Sequence, residues 1–129
     1  MVRKASCCCG QSAVVVNGDP EFNGICHCDD CKKRTGSAFG WSAYFENSQV
    51  IEILGEQDVY RLGSPFDQER HRCSHCGTML YWTNGEMKGM TGVAGGCFVE
   101  IPLDEPKATY SDANRHNWVT LSDGCEVRS

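Results

Sequence analysis

Apolar and polar residues alternate along most of this chain in short runs, and glycine, proline or asparagine breaks nearly every run. Ser12–Asn17, with Val14, Val15 and Val16 at its centre, predicts a strand closed by the turn Gly18-Asp19-Pro20. Phe22–Cys28 predicts a second. Phe39–Glu46 carries Phe39, Trp41 and Tyr44 and predicts a third. Val50–Leu54 and Asp58–Leu62 flank Gly55 as two more, less cleanly alternating. Gln68–Arg72 is polar throughout and leads into Cys73. Met79–Thr83 predicts the return strand of a hairpin, ended by Asn84-Gly85. Met90–Ile101 predicts a strand interrupted at Gly95-Gly96, and Trp118–Leu121 a late short strand. The helical pattern is confined to Asp29–Arg34, where two acidic residues precede three basic ones in the sense that suits a helix dipole. The pattern as a whole predicts one β-rich domain, residues 1–129, with many short strands and one short helix.

Composition adds a constraint that the pattern does not contain. Ten of the 129 residues are cysteine. Disulfides and metal are the two ways to use so many. No apolar run follows the basic residues near Met1, so a secretory signal is not expected, and no window approaches a membrane span. A cytoplasmic location is expected, where thiols stay reduced, and metal is the expected use. The net charge of -5 argues against nucleic acid as a partner.

The cysteines sort by spacing into Cys7/Cys9, Cys26/Cys28/Cys31 and Cys73/Cys76, with Cys8, Cys97 and Cys125 left over. Cys26 and Cys28 share a face of an extended strand, and Cys28 and Cys31 have the spacing of a turn around one ion. Two partitions are open. Cys7, Cys9, Cys73 and Cys76 make a closed four-ligand site and leave a triplet with an open position, as reactive zinc is held. Alternatively Cys28/Cys31 and Cys73/Cys76 make one ordinary four-cysteine site. Spacing does not choose between them.

Cys7-Cys8-Cys9-Gly10, Cys26-His27-Cys28-Asp29-Asp30-Cys31, Thr35-Gly36-Ser37-Ala38-Phe39, Cys73-Ser74-His75-Cys76-Gly77-Thr78 and the ending Arg115, Trp118, Leu121-Ser122-Asp123-Gly124 occur in this order. Together they resemble the family of glutathione-dependent formaldehyde-activating enzymes, which shares its domain with a centromere protein (the CENP-V/GFA domain). The resemblance implies a β-tent of the Mss4-like kind. It implies two zinc ions per chain, one structural at Cys7, Cys9, Cys73 and Cys76 and one at Cys26, Cys28 and Cys31. It also implies a carbon–sulfur lyase that joins glutathione and formaldehyde to S-hydroxymethylglutathione, or reverses that reaction, with a small thiol such as glutathione as partner. The chain departs from the family's pattern at Met90–Glu100, where Gly95-Gly96-Cys97 stands in place of an uninterrupted strand.

Other residues carry two readings each. Backbone N–H groups of Gly36 and Ser37 are placed to meet a substrate carboxylate, or they form a plain turn. Arg115 binds an anionic group of the substrate, or it forms a structural ion pair. His27 faces away from its neighbouring thiols and is expected to be packed; His75 is expected to be exposed. Cys8 and Cys97 are expected as small buried hydrophobes. Trp41, Tyr44, Trp82 and Trp118 are expected in the core or a cleft wall. Two competing functions remain: a non-catalytic zinc-binding interaction module, and a B-type methionine-sulfoxide reductase using the Cys28/Cys31/Cys73/Cys76 site with Cys97 as nucleophile.

Overall fold

Alternating runs of this length can bury only one face each, so the chain must bring several together. The computed structural model describes residues 1–128. It places them in two open sheets. The first has order β1-β2-β5, formed by β1 (Val2–Ser6), β2 (Ala13–Asn17) and β5 (Val50–Leu54). The second has order β11-β10-β3-β4-β9-β8-β7-β6. Its strands are β3 (Phe22–Cys26), β4 (Gly40–Glu46), β6 (Gln57–Leu62), β7 (Gln68–Cys73), β8 (Met79–Asn84), β9 (Met90–Ala94), β10 (Ala108–Tyr110) and β11 (Glu126–Arg128). Pairing is antiparallel except at the β3-β10-β11 end, which is parallel. One short helix, α1 (Asp29–Thr35), follows β3. This is the mainly β, one-helix architecture that the β-tent resemblance implies.

Ala5, Val14 and Val16 of the first sheet meet Ala43, Phe45, Leu80, Tyr81 and Val93 of the second, and Phe98 and Leu103 close the cluster. The opposite face of the second sheet is polar and aromatic, and α1 lies on it. No residue of α1 is fully buried, so its anchors are specific contacts. Arg70 Nη2 donates to Asp30 Oδ2 at 2.6 Å, and the Arg34 guanidinium sits 4.3 Å over the Trp82 ring. Trp82 Nε1 in turn donates to the Tyr44 hydroxyl at 3.0 Å. These contacts fix where the start of α1, and therefore Cys28 and Cys31, stands above the sheet.

The polar segment before Cys73, to which the alternation pattern assigned no element, is a strand paired to both β6 and β8. Its charges are matched locally: Arg61 pairs with Glu69 at 2.7 Å, Arg70 with Asp30, and His71 stacks on Tyr81 at 4.2 Å. Trp118–Leu121 is not a strand. Trp118 is 69% exposed and stacks on His116, so it is neither core nor buried wall. The strands of that region are β10 and β11, neither of which the sequence pattern marked. The expected break at Gly95-Gly96 is present as a 3-10 turn over Gly95–Cys97. Packing requires glycine there: a Cβ on Gly95 would lie 2.5 Å from the Trp41 indole.

Candidate metal centre

Cys7 and Cys9 leave the end of β1, Cys73 ends β7, and Cys76 lies in the turn to β8. Their four sulfurs lie within 4.8 Å of one another. Cys7 and Cys9 Sγ are 3.6 Å apart, and Cys9 and Cys73 Sγ 3.8 Å. Four sulfurs at about 2.3 Å from a tetrahedral ion are about 3.8 Å apart, whereas a disulfide holds them at about 2.05 Å. All ten cysteines are free. The spacing is therefore that of a coordination shell. Two backbone knuckles create it. The Gly10 N–H donates to the Cys7 carbonyl at 3.1 Å, and the Gly77 N–H to the Cys73 carbonyl at 2.8 Å. Gly10 and Gly77 have φ of 82° and 78°. A Cβ on either would touch nothing, so the left-handed backbone, not space, requires glycine there. The Ser12 N–H donates to Cys7 Sγ at 3.2 Å. The Thr78 hydroxyl accepts the Cys8 N–H and stands 3.2 Å from Cys76 Sγ, and that contact helps hold the Cys76 thiol down at about 5.

The second cluster is local. Cys26 ends β3, Cys28 caps α1, and Cys31 is in its first turn. Cys28 Sγ accepts the Cys31 N–H at 3.4 Å, so the cap that starts the helix is itself a thiol. The three sulfurs lie within 4.8 Å of one another and all three residues are half-buried. Across the ladder Cys26 faces Gly40. A Cβ on Gly40 would lie 3.2 Å from Cys31 Cβ and 2.7 Å from Arg34 Nη2, so glycine makes room for the cluster. The donor set asks for a cation. The Cys31 thiol, hydrogen-bonded to Cys26, pushes Cys26 down to about 5, and the same contact pushes Cys31 up. The Cys26 thiolate is thus supported by the Cys31 proton, and a second thiolate at Cys31 beside it is opposed. A bound cation would relieve that opposition. Both clusters can hold metal ions.

The partition that joins Cys28/Cys31 with Cys73/Cys76 is not formed. The zinc site of the sulfoxide-reductase reading is thereby absent among the described residues. Cys97, its candidate nucleophile, is half-buried, and burial pushes its thiol up to about 11. Cys8 is exposed instead of buried, as is Cys9. His75 is exposed as expected. His27 is fully buried on the face away from the sulfurs, with Nε2 2.8 Å from the Thr109 hydroxyl and its ring edge-on to Phe39. Burial pushes its imidazole down. The backbone N–H groups of Gly36 and Ser37 both go to the Lys32 carbonyl and close the helix, so those donors are already engaged. Arg115 Nε pairs with Asp112 Oδ1 at 2.8 Å and Nη1 donates to the Val119 carbonyl at 2.8 Å. The ion pair holds a turn that borders the triplet. In that turn lies a residue the sequence did not reveal: Ser111, whose Oγ is 3.9 Å from Cys26 Sγ. Its approach depends on the parallel register of Tyr110 with Cys26, which no local pattern signals.

A structure of a Rhodobacter sphaeroides protein, solved as a structural-genomics target, has the same fold. Its TM-score is 0.59 at 19% identity, covering 78% of this chain and 99% of that one. A Fusarium vanettenii protein with the provisional name glutathione-dependent formaldehyde-activating enzyme is 31% identical over 106 residues, 81% of this chain. This chain spans 55% of that relative's length. The family model described as glutathione-dependent formaldehyde-activating enzyme matches residues 2–120, a span that contains all seven clustered sulfurs. With both cysteine groups inside the matched span, the chain belongs to the glutathione-dependent formaldehyde-activating enzyme family.

Proposed function

We propose that the protein is a zinc-dependent carbon–sulfur lyase that joins a small anionic thiol to formaldehyde, or cleaves the adduct, at Cys26, Cys28 and Cys31. Glutathione is the thiol that the family membership favours. The observation that carries the reading is the triplet: three convergent, half-buried sulfurs, with no fourth donor joining them among the described residues. Zinc held there would take an exogenous sulfur in its remaining position and favour that sulfur's thiolate form. In the forward direction the thiolate sulfur bonds the carbonyl carbon and the aldehyde oxygen takes up a proton, so nothing is oxidised or reduced.

This chain's residues supply position and charge. Cys28 is fixed by the helix start and Cys26 by the β3–β4 ladder, so the sulfurs are held before substrate arrives. Lys32, Lys33 and Arg34 follow the triplet directly on α1. Lys32 Nζ donates to a neutral carbonyl, that of Asn114, at 2.7 Å, and no carboxylate among the described residues pairs with it. Such a cationic border suits a thiol that carries carboxylates. Cys7, Cys9, Cys73 and Cys76 hold the second, structural zinc. A reducing, cytoplasmic setting, in which all ten thiols stay available, is part of the same proposal.

The test combines metal analysis with exchange kinetics. The purified protein should hold two zinc ions per chain and should accelerate exchange between formaldehyde, glutathione and their adduct. Cys28→Ser should keep one zinc and lose at least about 99% of the acceleration, the scale on which catalytic groups act. Background exchange by a protein with two zinc ions would overturn the lyase and leave a thiol-binding zinc module.

A further inference from the structure

Among the described residues nine have a left-handed backbone, and seven of them are glycine. Ser111 is one of the two exceptions, at φ 54°. A left-handed residue with a Cβ costs about 1–2 kcal/mol that glycine would not. Serine at such a place commonly earns its position by capping, and Ser111 does stand at the start of the 3-10 turn Asp112–Asn114. Its side chain makes no cap hydrogen bond there. The polar atom that its hydroxyl does approach is Cys26 Sγ, at 3.9 Å.

The surroundings fix that approach from three sides. The His27 N–H donates to the Tyr110 carbonyl at 3.1 Å and locks β10 beside β3. Asp112 and Arg115 brace the turn, and the Arg115 guanidinium holds the Val119 carbonyl behind it. Lys32 bonds the Asn114 carbonyl and ties the turn to α1. Ser111 is therefore delivered to the triplet by both elements that carry the triplet's sulfurs.

We propose that Ser111 is a positioning residue for the three-sulfur site: its hydroxyl donates a hydrogen bond to Cys26 Sγ when that sulfur is a metal-bound thiolate. The inference rests on the reading of the triplet as a metal site that takes a thiol. A metal-bound Cys26 has no proton to give, so the hydroxyl must be the donor. A donor on a ligand sulfur withdraws charge from it. Three thiolates already donate heavily to the ion, and a fourth, incoming thiolate adds a further negative charge. Relieving Cys26 makes room for that charge. The ligand class that gains is an anionic sulfur.

Cadmium NMR with cadmium in both sites gives each site its own resonance, so the four-sulfur site is an internal control. Ser111→Ala removes the hydroxyl and keeps the backbone strain, whereas Ser111→Gly removes both. Both should shift the triplet resonance, leave the four-sulfur resonance in place, and weaken glutathione binding at the triplet about tenfold. Ser111→Gly should not lower the melting temperature, which separates loss of the hydroxyl from loss of the fold. A triplet resonance and a glutathione affinity unchanged in both variants would overturn the proposal. If the unmutated protein binds cadmium but no glutathione, the thiol reading falls. The resonance then still decides, supporting the hydrogen bond if it moves and overturning it if it stays.

Discussion

The two sulfur clusters are built from the same residue type and differ in what they join. The four-sulfur cluster draws Cys7 and Cys9 from the edge of the first sheet and Cys73 and Cys76 from the second. An ion there closes the chain across 64 residues, from Cys9 to Cys73, and staples two sheets that share one core. Cys7 and Cys73 are buried, at 5% and 2% exposure. The three-sulfur cluster lies within six consecutive residues and staples nothing distant. All its members are half-exposed, and the helix they begin is held by its own contacts to Arg70 and Trp82. Four sulfurs would close a coordination shell and tie the two sheets together, whereas three would leave one position open on an ion that joins only neighbouring residues.

The sharpest way to break that comparison is to remove one sulfur from each. Cys73→Ser takes a buried ligand from the staple, and loss of a structural metal belongs to the mechanisms that exceed about 4 kcal/mol. The expected result is a chain without a cooperative thermal transition at 37 °C and without bound zinc in the four-sulfur site. Cys28→Ser should change stability by less than about 1 kcal/mol, because serine caps a helix start at least as well as the thiol it replaces. Thermal melts of the two variants side by side decide. Equal melting losses would mean that the triplet is structural as well.

How much of this was legible follows the same division. The triplet could be read directly, because its spacing alone brings three sulfurs to one point. The four-sulfur cluster could not, since its pairs meet only through the arrangement of two sheets, and spacing allowed a rival partition. Ser12–Asn17 and Phe39–Glu46 show their strands because one face is apolar and buried. Gln68–Cys73 hides its strand, because ion pairs and a stacked ring replace the apolar face. β10 and β11 are three residues each and are held by register, which leaves no period to detect. Ser111 was invisible for that reason.

An intermediate effect is expected where the triplet borrows support from the fold. Arg70 is 4% exposed, and its charge is met by Asp30, between Cys28 and Cys31. Breaking a buried ion pair from one side costs about 3–5 kcal/mol. The Asp30 carboxylate is a quarter exposed, and Gln68 Oε1 still accepts from Arg70 Nε at 2.9 Å, so we expect about 2 kcal/mol for Asp30→Asn. The metal readout is the informative one. Zinc affinity of the triplet should fall while that of the four-sulfur site holds, measured by competition with a chromophoric chelator. A fall at both sites would join what the comparison separates.

The smallest effect sharpens the contrast by placing a methyl group beside each cluster. Gly77→Ala meets no atom within 4 Å, so its cost is the left-handed backbone alone, about 1 kcal/mol. That cost falls on the knuckle that aims Cys73 and Cys76, and it should appear as a melting temperature lower by several degrees, with turnover at permissive temperature unchanged. Gly40→Ala has the opposite signature. Its backbone is ordinary, but its methyl would sit 3.2 Å from Cys31 Cβ and against Arg34. The Arg34 guanidinium is the end of a flexible side chain and can turn its Nη2 aside over the Trp82 ring it stacks on; Cys31 is held by the helix and can give only a few tenths of an ångström. The melt should change little, and the triplet should lose zinc affinity and activity together. Melting temperature and turnover, measured on both variants, therefore separate a site that stabilises the fold from a site that the fold holds open.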